Sequence, residues 1–126
     1  MNREILFRGK RKDNGEWVYG SLQCFKGVSI FDRDVKNFIA VHPETIGQYT
    51  GLTDKNGKKI FEGDILLAEL TEGVYACFKF PIGMVVFSGG SFCMKSHKNT
   101  TPLSSYSYNV SFEVIGNIYD NPELLS

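Results

Sequence analysis

Two histidines, three cysteines and fourteen carboxylates are the residues through which this 126-residue chain could do chemistry. His42 and His97 stand 55 positions apart, and neither has a Cys, Asp or His at the short spacing that zinc ligands keep. His42 precedes a proline that ends a strand and His97 lies in a polar stretch, so surface or capping roles are expected of both ahead of general-base catalysis. Cys93 and His97 are the one close Cys and His pair that a thiolate nucleophile could use. Phe92 and Met94 flank that cysteine in the alternation of a strand, and a packed thiol is the expectation.

The run Asp54, Asn56, Gly57 opens like a calcium loop, since Asp and Asn two residues apart can turn oxygens toward one cation. Lys58 and Lys59 then occupy the positions of a further ligand and the turn glycine, and Ile65 stands where the closing glutamate belongs. A hairpin turn without calcium is therefore expected. Glu62, Gly63 and Asp64 could offer two carboxylates, but a tight turn with Gly63 at positive φ and Asp64 bonding nearby backbone accounts for the same residues. GxSxG, Walker A, GxGxxG and HExxH patterns are absent from the sequence. The acceptor patterns at Asn99 and Asn109 read as chance without a secretory signal. No catalytic residue, cofactor or metal is expected, and the chain reads as a non-enzyme, with an uncharacterised enzyme as the third reading after binding module and nucleic-acid binding.

Composition narrows the partners. Fourteen Lys and Arg balance fourteen Asp and Glu, whereas proteins that ride on phosphates need a cationic surplus, so nucleic acid is a disfavoured partner. Arg3, Arg8, Lys10, Arg11 and Lys12 do crowd the first twelve positions, which keeps nucleic-acid binding as the second reading. Three unclustered cysteines, Cys24, Cys77 and Cys93, indicate neither a disulfide framework nor a CxxC site and suit a reducing cytoplasm. MNREILFRGK lacks the apolar core of a signal peptide, and no stretch approaches the roughly 18 apolar residues of a membrane span. Secretion and membrane insertion are not expected.

The elements that must position these residues read as strands. Ile5 and Phe7 alternate with Leu6 and Arg8, then Lys12 to Gly15 supply a turn and Trp17 to Leu22 resume, which predicts a hairpin. Short β-prone runs follow at 28–31, 38–41, 46–50, 65–70, 74–80, 84–87 and 91–95, a spacing that suits a small barrel or sandwich. Residues 96–109 are Ser- and Thr-rich and read mostly as exposed loop, with Tyr106 and Tyr108 at the start of a strand. Val110, Phe112, Val114 and Ile118 are expected on one face of a strand that passes Gly116. Asn121 and Pro122 open a short terminal helical turn.

Ten Phe, six Tyr and one Trp exceed what a core of this size strictly needs. Trp17, Tyr19, Phe25 and Tyr49 are candidates for an exposed aromatic patch, and Arg8, Trp17, Tyr19 and Tyr49 form the candidate interaction surface, with ordinary core packing as the alternative.

Four segments, REILFRGKRKDNGEWVYG, VHPETIGQYTGLTDKNGKKIFEGDIL, GMVVF and FEVIGNIYDNPELL, together resemble the YopX-like family of phage and prophage proteins along nearly the whole chain. The resemblance implies an SH3-type barrel in the C-terminal half, opened by the EGD turn and closed by EVIGNIY, and implies no catalytic residues. The expected architecture is mostly β: one compact domain over 1–126, with a possible division into an N-terminal hairpin subdomain, 1–52, and a barrel, 53–126. The expected function is that of a phage accessory binding module in the host bacterial cytoplasm. It would meet a phage or host protein, or other copies of itself, through a sheet edge or an aromatic patch.

Overall fold

The structure is a computed structural model that describes residues 4–70, 82–97, 99–106 and 110–125. Eleven strands are described: β1 Phe7–Lys10, β2 Trp17–Gln23, β3 Ser29–Asp32, β4 Asn37–Ala40, β5 Gly47–Thr53, β6 Lys59–Phe61, β7 Asp64–Leu70, β8 Ile82–Ser88, β9 Ser91–Lys95, β10 Thr100–Pro102 and β11 Val110–Asn117. Pro43–Thr45, Leu103–Ser105 and Pro122–Leu125 are single 3-10 turns, and no longer helix occurs among the described residues. The run expected at 74–80, with Cys77, lies outside the described residues, as does Tyr108. All resolved pairings are antiparallel, and the chain divides into two compact units, Met1–Gly51 and Leu52–Ser126.

In the first unit the strands run in the order β4-β3-β2-β1-β5. The β1–β2 hairpin turns where the sequence predicts it. Gly15 adopts φ 75°, its N–H donates to the Arg11 carbonyl at 2.9 Å, and the Asn14 side chain accepts the Glu16 N–H. The DRDVKN segment closes a second hairpin, with Asp32 Oδ1 accepting the N–H groups of Asp34 and Val35 and Lys36 at φ 58°. Period-two alternation sends Val18 and Ile30, joined by Val41, into a core that Phe7, Leu22, Val28, Ile39 and Ile46 surround. A bridge between Arg11 and Val41 brings the end of β1 round to the end of β4.

The second unit holds a five-stranded sheet, β10-β9-β8-β7-β11. Its core is Ile60, Leu66, Ala68, Val85, Met94 and Leu103, with Val110, Phe112 and Val114 packed against it from β11. The SH3-type barrel implied by the resemblance is corrected here to an open sheet, since β10 and β11 are its two ends and pair with no common strand among the described residues.

Two further expectations change. Within the stretch expected to be mostly exposed loop, Thr100–Pro102 pair with β9 and Leu103 is buried in the core, while residues 98 and 107–109 lie outside the described residues. Backbone pairing needs no apolar side chain, so a Ser/Thr-rich stretch can supply an edge strand. Ile118 does not continue the face of Val110, Phe112 and Val114, because the register shifts between Val114 and Gly116 and leaves Ile115 as the extra residue of a bulge. One extra residue inverts the alternation beyond it. Every residue from Val110 to Tyr119 is half-buried, so this strand does not divide into one sealed and one solvent face.

Candidate binding surface

The register of the first unit places Arg8 opposite Tyr19 and Lys10 opposite Trp17, while Arg8 also faces Gly47 and the Tyr49 N–H donates to the Leu6 carbonyl. All four candidates therefore share one face of the sheet, the face opposite Val18. They differ in accessibility. Arg8 and Tyr49 are buried, so they do not form open surface. The Arg8 guanidinium stands 4.4 Å from the Trp17 ring centroid and the Lys10 ammonium 5.4 Å, which commits the half-buried indole to cation–π contacts. Tyr19 is 45% exposed.

The same face continues into residues that sequence reasoning passed over. Ser21 pairs with Phe31 and Phe31 with Phe38, so both phenylalanines lie on the Tyr19 side, with ring centroids 5.0 Å apart in a T-shaped contact. Phe38 and Val35 are both more than half exposed, as is Phe25 at the β2–β3 turn. Phe31 and Phe38 are placed symmetrically about the DRDVKN turn, a signal that becomes legible once its strands are paired.

Along β4 runs a groove of about 290 Å³, with Arg11, Lys12 and Asp13 on one wall and Val35 and Asn37–Ala40 on the other. Arg11 holds Asp13 through two bonds, Nε to Oδ1 at 2.9 Å and Nη2 to Oδ2 at 2.8 Å. That hydrogen bond lowers the Asp13 carboxyl below its ordinary value and raises Arg11, and it leaves Lys12 as the wall's unmatched charge. The Val41 N–H donates toward β3, to Val28, while the Ala40 carbonyl accepts from Lys12 on the opposite side. Alternation then turns the N–H and C=O groups of Phe38 and Ala40 away from β3, toward the groove. The Asn37 side chain covers the Phe38 N–H at 2.9 Å. This is a strand edge with an aromatic and a β-branched side chain exposed beside it.

The other candidate residues hold structure. Asp54 Oδ1 accepts the N–H groups of Asn56 and Lys58, both at 2.9 Å, and Oδ2 accepts that of Val114 at 3.0 Å. Both oxygens are thus committed to backbone. Titrating calcium chloride into the protein in a calorimeter is expected to give no saturable heat below millimolar concentration, and such heat abolished by Asp54→Ala would overturn the turn assignment. Gly63 sits at φ 88°, its N–H donates to Val85 and its carbonyl accepts from Ile118, while Asp64 Oδ2 accepts the Phe61 N–H at 2.8 Å.

His42 caps the 3-10 turn at Pro43–Thr45, its carbonyl accepting from the Thr45 N–H and hydroxyl. His97 is exposed beside a cavity of about 140 Å³ lined by Ile82, Met84, Lys95, Ser96 and Leu125, a lining that includes none of Cys93, His42, Glu62 and Asp64. Among the described residues no group of three or more His, Cys, Asp or Glu is placed to hold a metal ion. Cys93 is buried, with its thiol directed at the carbonyls of Ser88 and Ser91, and Cys24 is exposed; both are free. Iodoacetamide applied to the native protein is expected to label Cys24 within minutes and Cys93 only on unfolding, as read by peptide mass spectrometry. Equal labelling rates would refute the packed-thiol assignment.

The described strands form two antiparallel units, the first of which carries the β4 edge beside the exposed side chains of Val35 and Phe38. The chain belongs to the YopX protein family, whose pattern it matches over residues 6–126. Among solved structures it is similar to the crystal structure of protein EF1440 from Enterococcus faecalis, with a TM-score of 0.62 and 24% identity over 99% of this chain and 100% of that one. That likeness concerns the fold alone. No curated protein matches the chain. No helix among the described residues is long and apolar enough to cross a membrane.

Proposed function

We propose that this protein is a non-enzymatic binding module of the phage-infected bacterial cytoplasm that takes an extended segment of a phage or host protein along the outer edge of β4. The observation that carries the reading is the β4 groove, where the outward Phe38 carbonyl and Ala40 N–H lie beside the exposed side chains of Val35 and Phe38. An added strand would pair with the backbone while its alternate side chains pack on that apolar pair. The adjoining turn is charge-balanced, Arg33 and Lys36 against Asp32 and Asp34, so the Lys12 ammonium on the groove wall is what favours an acidic residue in the segment.

Nucleic acid is the weaker reading. Fourteen basic residues are balanced by fourteen acidic ones, and the Trp17 ring, the largest stacking platform, already carries Arg8 and Lys10.

Selection of displayed random peptides on the immobilised protein tests the proposal. It predicts that enriched sequences alternate apolar and acidic residues and bind Phe38→Ala and Val35→Ser at least roughly tenfold more weakly, about 1.4 kcal/mol. Peptides that bind these variants and the wild type equally would refute the β4 site. Tight binding of single-stranded oligonucleotides with a steep salt dependence would favour nucleic acid instead.

A further inference from the structure

The two strands that end the sheet of the second unit are treated differently. β10 is three residues long and closes with Pro102, which offers no N–H to a neighbouring strand. β11 is eight residues long, rich in β-prone side chains and paired on one side with β7. Its other side would be an open template for pairing.

The turn after β5 lies on that side. The Lys55 N–H donates to the Phe112 carbonyl at 2.9 Å, and Asp54 Oδ2 accepts the Val114 N–H at 3.0 Å. A backbone donor and a side-chain acceptor thus reproduce the two hydrogen bonds that a neighbouring strand would make to Phe112 and Val114. The mimic is held rigid from within. Asp54 Oδ1 binds the N–H groups of Asn56 and Lys58, the Asp54 carbonyl accepts from Gly57, and Gly57 takes φ 82°. Lys55 Nζ lies 3.4 Å from Glu113 and 3.8 Å from Glu69, across the outward face of the same strands.

We propose that the 54–58 turn is a guard over the edge of β11, and that the surface beneath it is a pairing surface for a second copy of this chain. The register argues for a second copy. An antiparallel pair centred on Phe112 sets each Ser111 opposite the other chain's Glu113, so no like charges face one another, while Phe112 meets Phe112. With the turn in place the Phe112 carbonyl and the Val114 N–H are satisfied, the middle of the edge is covered, and the chain does not pair there. With the turn released, the outward groups of Phe112 and Val114 recover their hydrogen bonds by joining another chain.

Sedimentation velocity on the full chain over a concentration series from about 10 to 300 μM tests the guard. Asp54→Ala removes the acceptor for Val114 and loosens the turn; Lys55→Pro occupies the second position of the Asp54–Gly57 turn, which proline favours, and deletes the donor to Phe112 together with the ammonium beside Glu113 and Glu69. Both variants are expected to shift to dimer or larger species at concentrations where the wild type sediments as one species, and Lys55→Pro serves as the readout if Asp54→Ala does not fold. Adding Val114→Pro to either variant removes an edge N–H and is expected to restore the wild-type profile. The proposal is overturned if the folded variants sediment as the wild type does. It is equally overturned if Val114→Pro leaves association unchanged or increases it, because association would then come from loss of structure and not from edge pairing.

Discussion

Asp54→Ala is expected to lower folding stability by roughly 2 to 4 kcal/mol. The carboxylate is 7% exposed and accepts three backbone N–H groups, which alanine would leave without their acceptor in a half-buried setting. The same carboxylate makes the loss pH-dependent. Burial pushes its pKa up, but the N–H groups of Val114, Lys58 and Asn56 and the Lys58 charge outweigh that and hold it below the ordinary value. A depressed pKa contributes stability that is fully present above the unfolded value, about 3.9, and is lost as pH falls through the folded value. Urea unfolding should therefore show the gap between wild type and Asp54→Ala at full size near pH 7 and narrowing below about pH 4. A gap that stays constant down to pH 2 would mean that charge plays no part in holding the turn.

Gly20→Ala is expected to be the most damaging of the conservative changes in the first unit. Gly20 lies buried in β2, paired with Phe7, and a Cβ there would overlap the Phe31 carbonyl oxygen and crowd Ile30 Cγ2 at 3.2 Å. Overfilling a packed interior costs about 1 to 3 kcal/mol where side chains can move aside. Here the obstacle is backbone of the paired strand β3, so a loss of about 3 kcal/mol or more is expected, a fall in Tm of roughly 10 °C. Ser21→Ala, one residue on and exposed, is the matched control and should melt within about 2 °C of the wild type. Equal melting of the two variants would show that β2 and β3 approach less closely than the structure has them.

What the sequence disclosed followed from local physics. The Asn14–Gly15 turn, the Gly63 turn with its Asp64 acceptor, and β9 at Ser91–Lys95 rest on glycine dihedrals, short-range capping or simple alternation, all of which operate within a few residues. The misses depend on pairings across long separations. Asp54 reads locally as a surface turn residue, and its third bond, to Val114, spans 60 positions. Ile118 drops out of the Val114 face because a bulge, invisible in the alternation itself, adds one residue to β11. Leu103 sits alone among serines, threonines and proline, so no periodicity marks it as core.

The candidate surface divides along the same line. Arg8, Trp17, Tyr19 and Tyr49 were legible as a group because aromatic and basic types alternate through the first hairpin and reappear in β5. Burial of Arg8 and Tyr49 is a property of packing and not of spacing. Phe31, Phe38 and Val35 became candidates only once the second hairpin had a register and β4 had an outward side.

The claim that β4 receives an added strand is tested most directly by amide hydrogen exchange, residue by residue, with and without a peptide recovered from the display selection. Binding by strand addition predicts that exchange of the Phe38 and Ala40 amides slows by roughly tenfold or more, while amides of the second unit's sheet, such as Val85 and Met94, keep their rates. Protection at the second unit with Phe38 and Ala40 unchanged would contradict the account.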